Sequence, residues 1–183
     1  MRWQHGTWRG AVRALLARAA LRGGLLEAYR LRHPERVRRV VFVCLGNICR
    51  SAYAQRVAAS LGMPAVSIGL STSTGAASPD AALRAAQRCG ADLSTHRATD
   101  FRDFEALPGD LFLAMEIRHA HELQRRLIAR TDVQIVLLGL WCEPAMPHLH
   151  DPYTLSDAYF DRCFARVRQA VHGLDRTLSG SAP

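Results

Sequence analysis

Two side chains six positions apart, Cys44 and Arg50, are the first candidates for chemistry in this sequence. Gly46 and Asn47 lie between them, and Ser51 follows directly. A thiolate is a strong nucleophile. A guanidinium offers a planar pair of donors to two oxygens of one oxyanion. The combination is suited to binding a phosphate-like anion and attacking its central atom.

The residues on either side predict the geometry that such a site needs. Val40–Val43 is a short β-branched and aromatic run that predicts a buried strand, and Ala52–Leu61 predicts a helix. The first N–H groups of a helix lack internal partners and carry partial positive charge, so a loop at this point can bind an anion. Gly46 and Asn47 tolerate left-handed backbone, and the local field favours Cys44 as a thiolate. The alternative is a buried structural cysteine beside a surface arginine.

The stretch Cys44–Ser51 resembles, without a break, the signature of the low-molecular-weight protein-tyrosine phosphatases. The family usually continues with proline, where this chain has Ala52. The resemblance covers roughly Val37–Leu178 and implies an α/β fold, a three-layer sandwich with a four-stranded parallel sheet. The alternation of predicted strands and helices indicates the same class independently.

The resemblance also implies a role for each residue of the loop. Cys44 is expected to attack phosphorus and Arg50 to stabilise the phosphoryl oxygens. Asn47 is expected to hold the loop shape, and Ser51 Oγ to donate a hydrogen bond to the Cys44 sulfur. In the family, the counterpart of Cys49 can form a disulfide with the nucleophile, which predicts reversible inactivation by peroxide. The phosphate-binding residues implied are Leu45, Gly46, Asn47, Ile48, Cys49, Arg50 and Ser51.

A second motif, Asp151-Pro152-Tyr153, follows about one hundred residues later. Proline fixes the backbone and biases Asp151 towards an extended conformation. By resemblance, Asp151 is the general acid that protonates the leaving oxygen and then the base that activates water. The substrate cleft is expected to include Tyr153 and Leu70.

Two further residues are expected to support the loop. Ser67 fits a family serine that bonds to the loop asparagine, although the usual next alanine is here Ile68. His96 matches a histidine that braces the loop. The family usually has aspartate where Glu116 stands, which leaves its role open. The predicted loop Ser71–Asp80 has no aromatic residue, so stacking on that wall of the cleft should be weak.

The amino-acid composition limits the number of domains, the cellular compartment and the kinds of ligand site that we expect. The 183 residues suffice for one domain with a core, and 49% of them are apolar. Five cysteines favour a reducing compartment over a disulfide framework, so a cytoplasmic location is expected. The chain contains no lysine, which excludes a P-loop nucleotide-binding site. No His/Cys pattern has zinc spacing, and no metal or cofactor is expected.

The net charge of +8 lies entirely in the first 39 residues, which hold ten arginines and two glutamates. We predict a basic N-terminal extension over 1–36, a phosphatase domain over 37–178 and a loose tail over 179–183. Trp8–Arg22 is a predicted helix with an apolar stripe between arginines. Such a helix can lie on an anionic membrane or a partner, or else pack on its own domain or remain a disordered tail. No nucleic-acid binding is expected, since no module for it is present.

Other elements complete the predicted fold. The predicted strands are Ala65–Leu70, Asp110–Glu116 and Val133–Leu138. The predicted helices are Leu25–Arg32, Pro79–Gly90, Phe101–Leu107, Arg118–Arg130 and Leu155–Leu178, and a loop is predicted over Trp141–His150.

The function implied is hydrolysis of phosphotyrosine in a protein through a cysteinyl-phosphate. The substrate in the bacterial branch is often an autophosphorylating tyrosine kinase of capsule or exopolysaccharide export. A thioredoxin-coupled arsenate reductase would need a further cysteine after the third strand, where this chain has Ala114–Ile117. A protein-arginine phosphatase usually has threonine in place of Ile48. A non-catalytic phosphate-binding adaptor would have no use for Asp151.

Overall fold

The computed structural model describes residues 6–180. Four parallel strands form a single sheet in the order β2-β1-β3-β4. The strands are β1 (Arg39–Cys44), β2 (Ala65–Gly69), β3 (Asp110–Ala114) and β4 (Gln134–Leu137). The predicted α/β class and the four-stranded parallel sheet are therefore confirmed.

Within residues 6–180, five α-helices accompany the sheet. They are α1 (Trp8–Arg22), α2 (Arg50–Ser60), α3 (Asp80–Arg88), α4 (Ile117–Arg126) and α5 (Asp157–Ser179). Short 3₁₀ turns follow α1, precede β1 and β3, and follow β4; they span Glu27–Tyr29, Pro34–Arg36, Phe101–Asp103 and Leu138–Trp141.

Both faces of the sheet are buried, which explains the continuous apolar run of β1. Val40 and Phe42 face a core cluster that includes residues of α2, α3 and α5. Val41 and Val43 face a second cluster that includes residues of α4. The strands thus form the middle of three layers, and the site loop leaves the carboxyl end of a central strand, where open α/β sheets bind ligands.

Two of the helix predictions are wrong. Leu25–Arg32 contains only the 3₁₀ turn Glu27–Tyr29, since Gly24 turns the chain at φ +74°. Phe101–Leu107 contains only the turn Phe101–Asp103. In the predicted tail, α5 continues to Ser179 and residues 181–183 lie outside the described part of the chain.

The segment between α1 and β1 packs against the same side of the sheet as α4. Leu26 and Tyr29 are buried in the second core cluster, and the Tyr29 hydroxyl donates to Gln124 Oε1 at 2.7 Å. Further along, Gln134 Nε2 donates to the His33 carbonyl at 2.8 Å. The extension therefore contributes side chains to the core, while its boundary at residue 36 remains a prediction.

Candidate functional site

The loop of residues 44–51 joins β1 to α2, with Cys44 as the last strand residue and Arg50 as the first helical one. Asn47 adopts φ +51°, the left-handed conformation that asparagine tolerates. Its N–H donates to Cys44 Sγ at 3.2 Å. Among the described residues, no acceptor is found for the N–H groups of Gly46, Ile48 or Cys49. The loop therefore offers backbone donors to an anion beside the sulfur.

The side chain of Asn47 fixes the shape of this loop. Its Oδ1 accepts from the Thr99 N–H at 2.9 Å, which directs Nδ2 to Ser51 Oγ at 2.9 Å and Ser67 Oγ at 2.8 Å. Ser67 then donates to Gln55 Oε1 at 2.7 Å. Thr99 and Gln55 were missed in the sequence. Gln55 could have been identified from the sequence, because it lies one helical turn after Ser51 on α2. Thr99 could not, because it contacts Asn47 through its backbone N–H, and no residue type indicates such a contact.

Ser51 faces the sulfur of Cys44 at an Oγ–Sγ distance of 3.0 Å. Since Asn47 Nδ2 already donates to Ser51 Oγ, the serine keeps its own proton free for Cys44. A hydroxyl group and a backbone amide therefore both contact this sulfur.

Arg50 is fully buried and held by three acceptors. Nη1 donates to Glu116 Oε1 at 2.6 Å and to the Leu149 carbonyl at 2.8 Å, and Nη2 donates to Asp151 Oδ2 at 2.6 Å. Nε is buried and has no partner among the described residues. A phosphoryl oxygen could accept from Nε, and a second could replace Asp151 at Nη2.

Glu116, whose role the sequence left open, lies beneath Arg50. Its burial would raise the carboxyl pKa, but the charge of Arg50 and a hydrogen bond from Arg118 lower the pKa of Glu116 to about 2. Arg118 Nε is 2.8 Å from Glu116 Oε2. Although glutamate is longer than the aspartate usual in the family, Glu116 still contacts Arg50, and its carboxyl group remains ionised.

Three histidines lie around the Arg50–Glu116 ion pair, namely His119, His148 and His150. None of them was predicted from the sequence as a site residue. Burial, together with the nearby Arg50, lowers the pKa of His119 to about 3. Burial also lowers the pKa of His148 to about 4, and the pKa of His150 is lowered for the same reason. All three are therefore neutral near neutral pH. Their spacing on two separate segments gave no recognisable pattern in the sequence.

Asp151 is partly exposed at the mouth of the site. Oδ2 accepts from Arg50, and Oδ1 accepts from the Tyr153 N–H at 3.2 Å. The preceding His150 contacts the extension, because its Nε2 lies 3.1 Å from Thr7 Oγ1. The predicted nucleophile, arginine and acid are thus brought together, and the extension touches the segment that carries the acid.

Of the residues predicted to support the loop or line the cleft, His96 contacts the loop, whereas Leu70 is buried in the core. His96 Nε2 lies 2.7 Å from the Asn47 carbonyl, and burial lowers the pKa of His96, so the neutral ring donates to that oxygen. Leu45 and Tyr153 are exposed beside the loop. Leu70, predicted to line the cleft, is 5% exposed and packs in the second core cluster, because it directly follows β2 and continues the alternation that places Ile68 on that side.

Cys49, the predicted redox partner, is a free and buried thiol. Burial, with Asp151 and Cys44 nearby, raises the pKa of Cys49, so this thiol is protonated while Ser51 and Asn47 stabilise the Cys44 sulfur. Across residues 6–180, no group of three or more His, Cys, Asp or Glu side chains is arranged to hold a metal ion.

A parallel sheet with a cysteine-to-arginine loop at its carboxyl edge defines a class of cysteine-dependent phosphatases. The sequence model of the low molecular weight phosphotyrosine protein phosphatase family matches residues 39–182. The chain belongs to the low molecular weight phosphotyrosine protein phosphatase family and is an enzyme of that class.

Three relatives illustrate this similarity. The probable low molecular weight protein-tyrosine-phosphatase EpsP of Ralstonia nicotianae is 28% identical over 137 residues, which is 74% of this chain and 92% of the relative. The crystal structure of the Erwinia amylovora tyrosine phosphatase AmsI aligns with a TM-score of 0.66 and 28% identity, over 78% of this chain and 94% of AmsI. The tyrosine phosphatase Wzb from Escherichia coli K30, in complex with sulphate, aligns with a TM-score of 0.62 and 28% identity, over 79% and 98%.

Proposed function

We propose that this enzyme hydrolyses phosphotyrosine in proteins through a cysteinyl-phosphate intermediate. The observation that carries the proposal is the convergence of three side chains from distant positions. Arg50 Nη2 lies 2.6 Å from Asp151, and Ser51, the residue after Arg50, lies 3.0 Å from the Cys44 sulfur. A nucleophile, an anion-binding cation and a proton donor are the groups that aryl phosphate hydrolysis requires.

In the first step, the Cys44 thiolate attacks phosphorus, and the S–P bond forms as the P–O bond to the aryl group breaks. Arg50 and the N–H groups of the 44–51 loop stabilise the equatorial oxygens. Asp151 leaves Arg50 as the phosphoryl group takes its place, takes up a proton from solvent, and gives this proton to the departing phenolate oxygen.

In the second step, water attacks phosphorus and the S–P bond breaks. Asp151, now ionised, accepts a proton from that water as it attacks. The Ser51 hydroxyl donates to the sulfur as negative charge returns to it. Inorganic phosphate then leaves, Asp151 releases its proton to solvent, and its carboxylate returns to Arg50.

An aromatic substrate fits the side chains at the mouth of the loop. Leu45 and Tyr153 are exposed there, and Ile48 is partly buried against the core. These apolar surfaces favour a phenyl ring over the charged guanidinium of phosphoarginine. A matched comparison of phosphotyrosine and phosphoarginine peptides distinguishes the two, and faster hydrolysis of phosphoarginine would overturn the assignment.

The physiological substrate that we propose is an autophosphorylating tyrosine kinase of polysaccharide export, and the proposed location is the cytoplasm. The similarity to EpsP, AmsI and Wzb supports a bacterial protein substrate. Deletion of the gene is expected to raise the phosphotyrosine content of that kinase. An unchanged phosphorylation state would refute the partner without refuting the reaction.

The reaction is tested with p-nitrophenyl phosphate in the presence of a metal chelator. Cys44→Ser is expected to abolish turnover and Asp151→Asn to reduce it greatly. Cys89→Ser and Asp157→Asn are matched controls, since neither residue contacts the 44–51 loop. Full activity of Cys44→Ser would contradict the proposal.

A further inference from the structure

The first helix, α1, packs with small residues inward and leaves most of its large apolar residues exposed. Its buried residues are Gly10, Ala14 and Ala17. The exposed fractions of four of its five large apolar side chains are 66%, 45%, 68% and 63% for Trp8, Val12, Leu15 and Leu16, whereas the fifth, Leu21, is partly buried against the second core cluster. A helix that served only its own core would bury the larger side chains, because they gain most from burial. The outward face therefore points to a further contact.

Every charged residue of α1 is positive. Four arginines of α1 flank the apolar stripe, and no acidic residue precedes Glu27 in the chain. The first 39 residues carry the whole net charge of +8. These four are Arg9, Arg13, Arg18 and Arg22.

We propose that the outward face of α1 docks on an anionic lipid surface. Trp8, Leu15 and Leu16 would enter the headgroup boundary, while the arginine stems lie along it and their guanidinium groups meet lipid phosphates. A helix of this length is roughly 22 Å long, enough to lie along the interface.

A second copy of the chain fits this face less well. Pairing two copies through α1 would bring two regions of +8 together, and the repulsion would oppose the gain from apolar burial. An anionic bilayer would bury the apolar stripe and pair its phosphates with the arginines at the same time. No helix among the described residues is long and apolar enough to cross a membrane.

The inner side of α1 connects this surface to the catalytic site. Thr7, which caps the helix through Oγ1, also lies 3.1 Å from His150, the residue before Asp151. Gly6 packs so closely on the acid segment that a Cβ there would lie 2.5 Å from Leu155 Cδ1. Lipid docking would therefore hold the site beside the bilayer, and on the proposed function it would favour phosphotyrosines close to the membrane.

Co-sedimentation of the full chain with vesicles tests this proposal. One set contains phosphatidylcholine alone and the other contains phosphatidylglycerol as well. The double variant Leu15→Ser/Leu16→Ser is compared with Ile128→Ser, which alters a side chain that is 84% exposed elsewhere. Arg18→Gln/Arg22→Gln tests the charge contribution. Hydrolysis of p-nitrophenyl phosphate is measured for every variant, so that loss of docking and loss of catalysis are distinguished.

The parent and Ile128→Ser are expected to bind the anionic vesicles and not the neutral ones. Each double variant is expected to bind the anionic vesicles roughly tenfold more weakly, with hydrolysis unchanged. Failure of the parent to bind anionic vesicles would overturn the proposal, as would binding by the leucine variant equal to that of the parent. A parent dimer that becomes monomeric in the leucine variant would also overturn it, since a second copy would then cover this face.

Discussion

Nη1 of Arg50 lies 2.6 Å from Oε1 of Glu116, and both side chains are 1% exposed. The pair fixes Nη1, while Nη2 donates to Asp151 and Nε has no partner among the described residues. The proposed anion binding by Arg50 therefore depends on a buried carboxylate that positions the guanidinium.

Glu116→Gln removes the charge of this carboxylate and keeps its shape. Because misplacement of a catalytic group by about 1 Å can cost a hundredfold in rate, we expect kcat/KM for p-nitrophenyl phosphate to fall roughly tenfold to a hundredfold. Loss of one partner from a buried ion pair should also lower the free energy of unfolding by about 3–5 kcal/mol. Steady-state kinetics and urea unfolding measure the two effects.

Glu116→Asp is the matched control, since it restores the residue type usual in the family and retains the charge. It should recover most of the activity lost in Glu116→Gln. If Glu116→Gln is as active as the parent, the carboxylate does not position Arg50.

Thr7 connects the extension, through His150, to the segment that carries the proposed general acid Asp151. Thr7→Val removes this contact, and we expect turnover of phenyl phosphate, a substrate with a poor leaving group, to fall roughly threefold to tenfold. Turnover of dinitrophenyl phosphate should change little, because its leaving group needs no proton. Thr7→Ser should behave like the parent, and equal loss with both substrates would contradict a role in placing the acid.

Acid should destabilise the fold well above the pH at which its carboxylates titrate. His119 and His148 have pKa values lowered to about 3 and about 4, whereas in the unfolded chain they take protons below about pH 6.5. Since the unfolded state binds more protons in this range, stability is full above pH 6.5 and is lost as the pH falls. Each histidine should cost about 2 kcal/mol between pH 6.5 and 5.

Urea unfolding at pH 7 and pH 5 measures this loss. The carboxyl pKa of Glu116 is lowered to about 2, so Glu116 contributes little to it in that range. His148→Gln should show a smaller difference between the two pH values than the parent. Equal stability of the parent at both would show that the histidines accept protons in the folded state.

Cys49 should protect Cys44 against irreversible oxidation. Peroxide converts the Cys44 thiolate to a sulfenic acid, and the Cys49 thiol then forms the disulfide with loss of water. The parent should recover activity after dithiothreitol, whereas Cys49→Ser should recover far less after the same exposure. Recovery of Cys49→Ser as complete as that of the parent would refute the protective disulfide.

The sequence predicted those parts of the fold and site that local pattern determines. The run Val40–Val43 predicted the strand, and the glycine and asparagine of the loop predicted the turn, both of which the structure contains. The histidines His119 and His148 could not be predicted, because two separate segments bring them to Glu116. The buried face of α1 could not be predicted either, since both of its faces are apolar and only the packing in the structure shows which one is buried.

The most direct test of the account is to trap the covalent intermediate. Asp151→Asn enzyme is mixed with an aryl phosphate, quenched with acid within its first turnover, and digested for mass spectrometry. The account predicts one added phosphoryl group on the peptide that contains Cys44, and none in Cys44→Ser. A phosphoryl group on His148 or His150, or turnover with no labelled enzyme at any quench time, would contradict it.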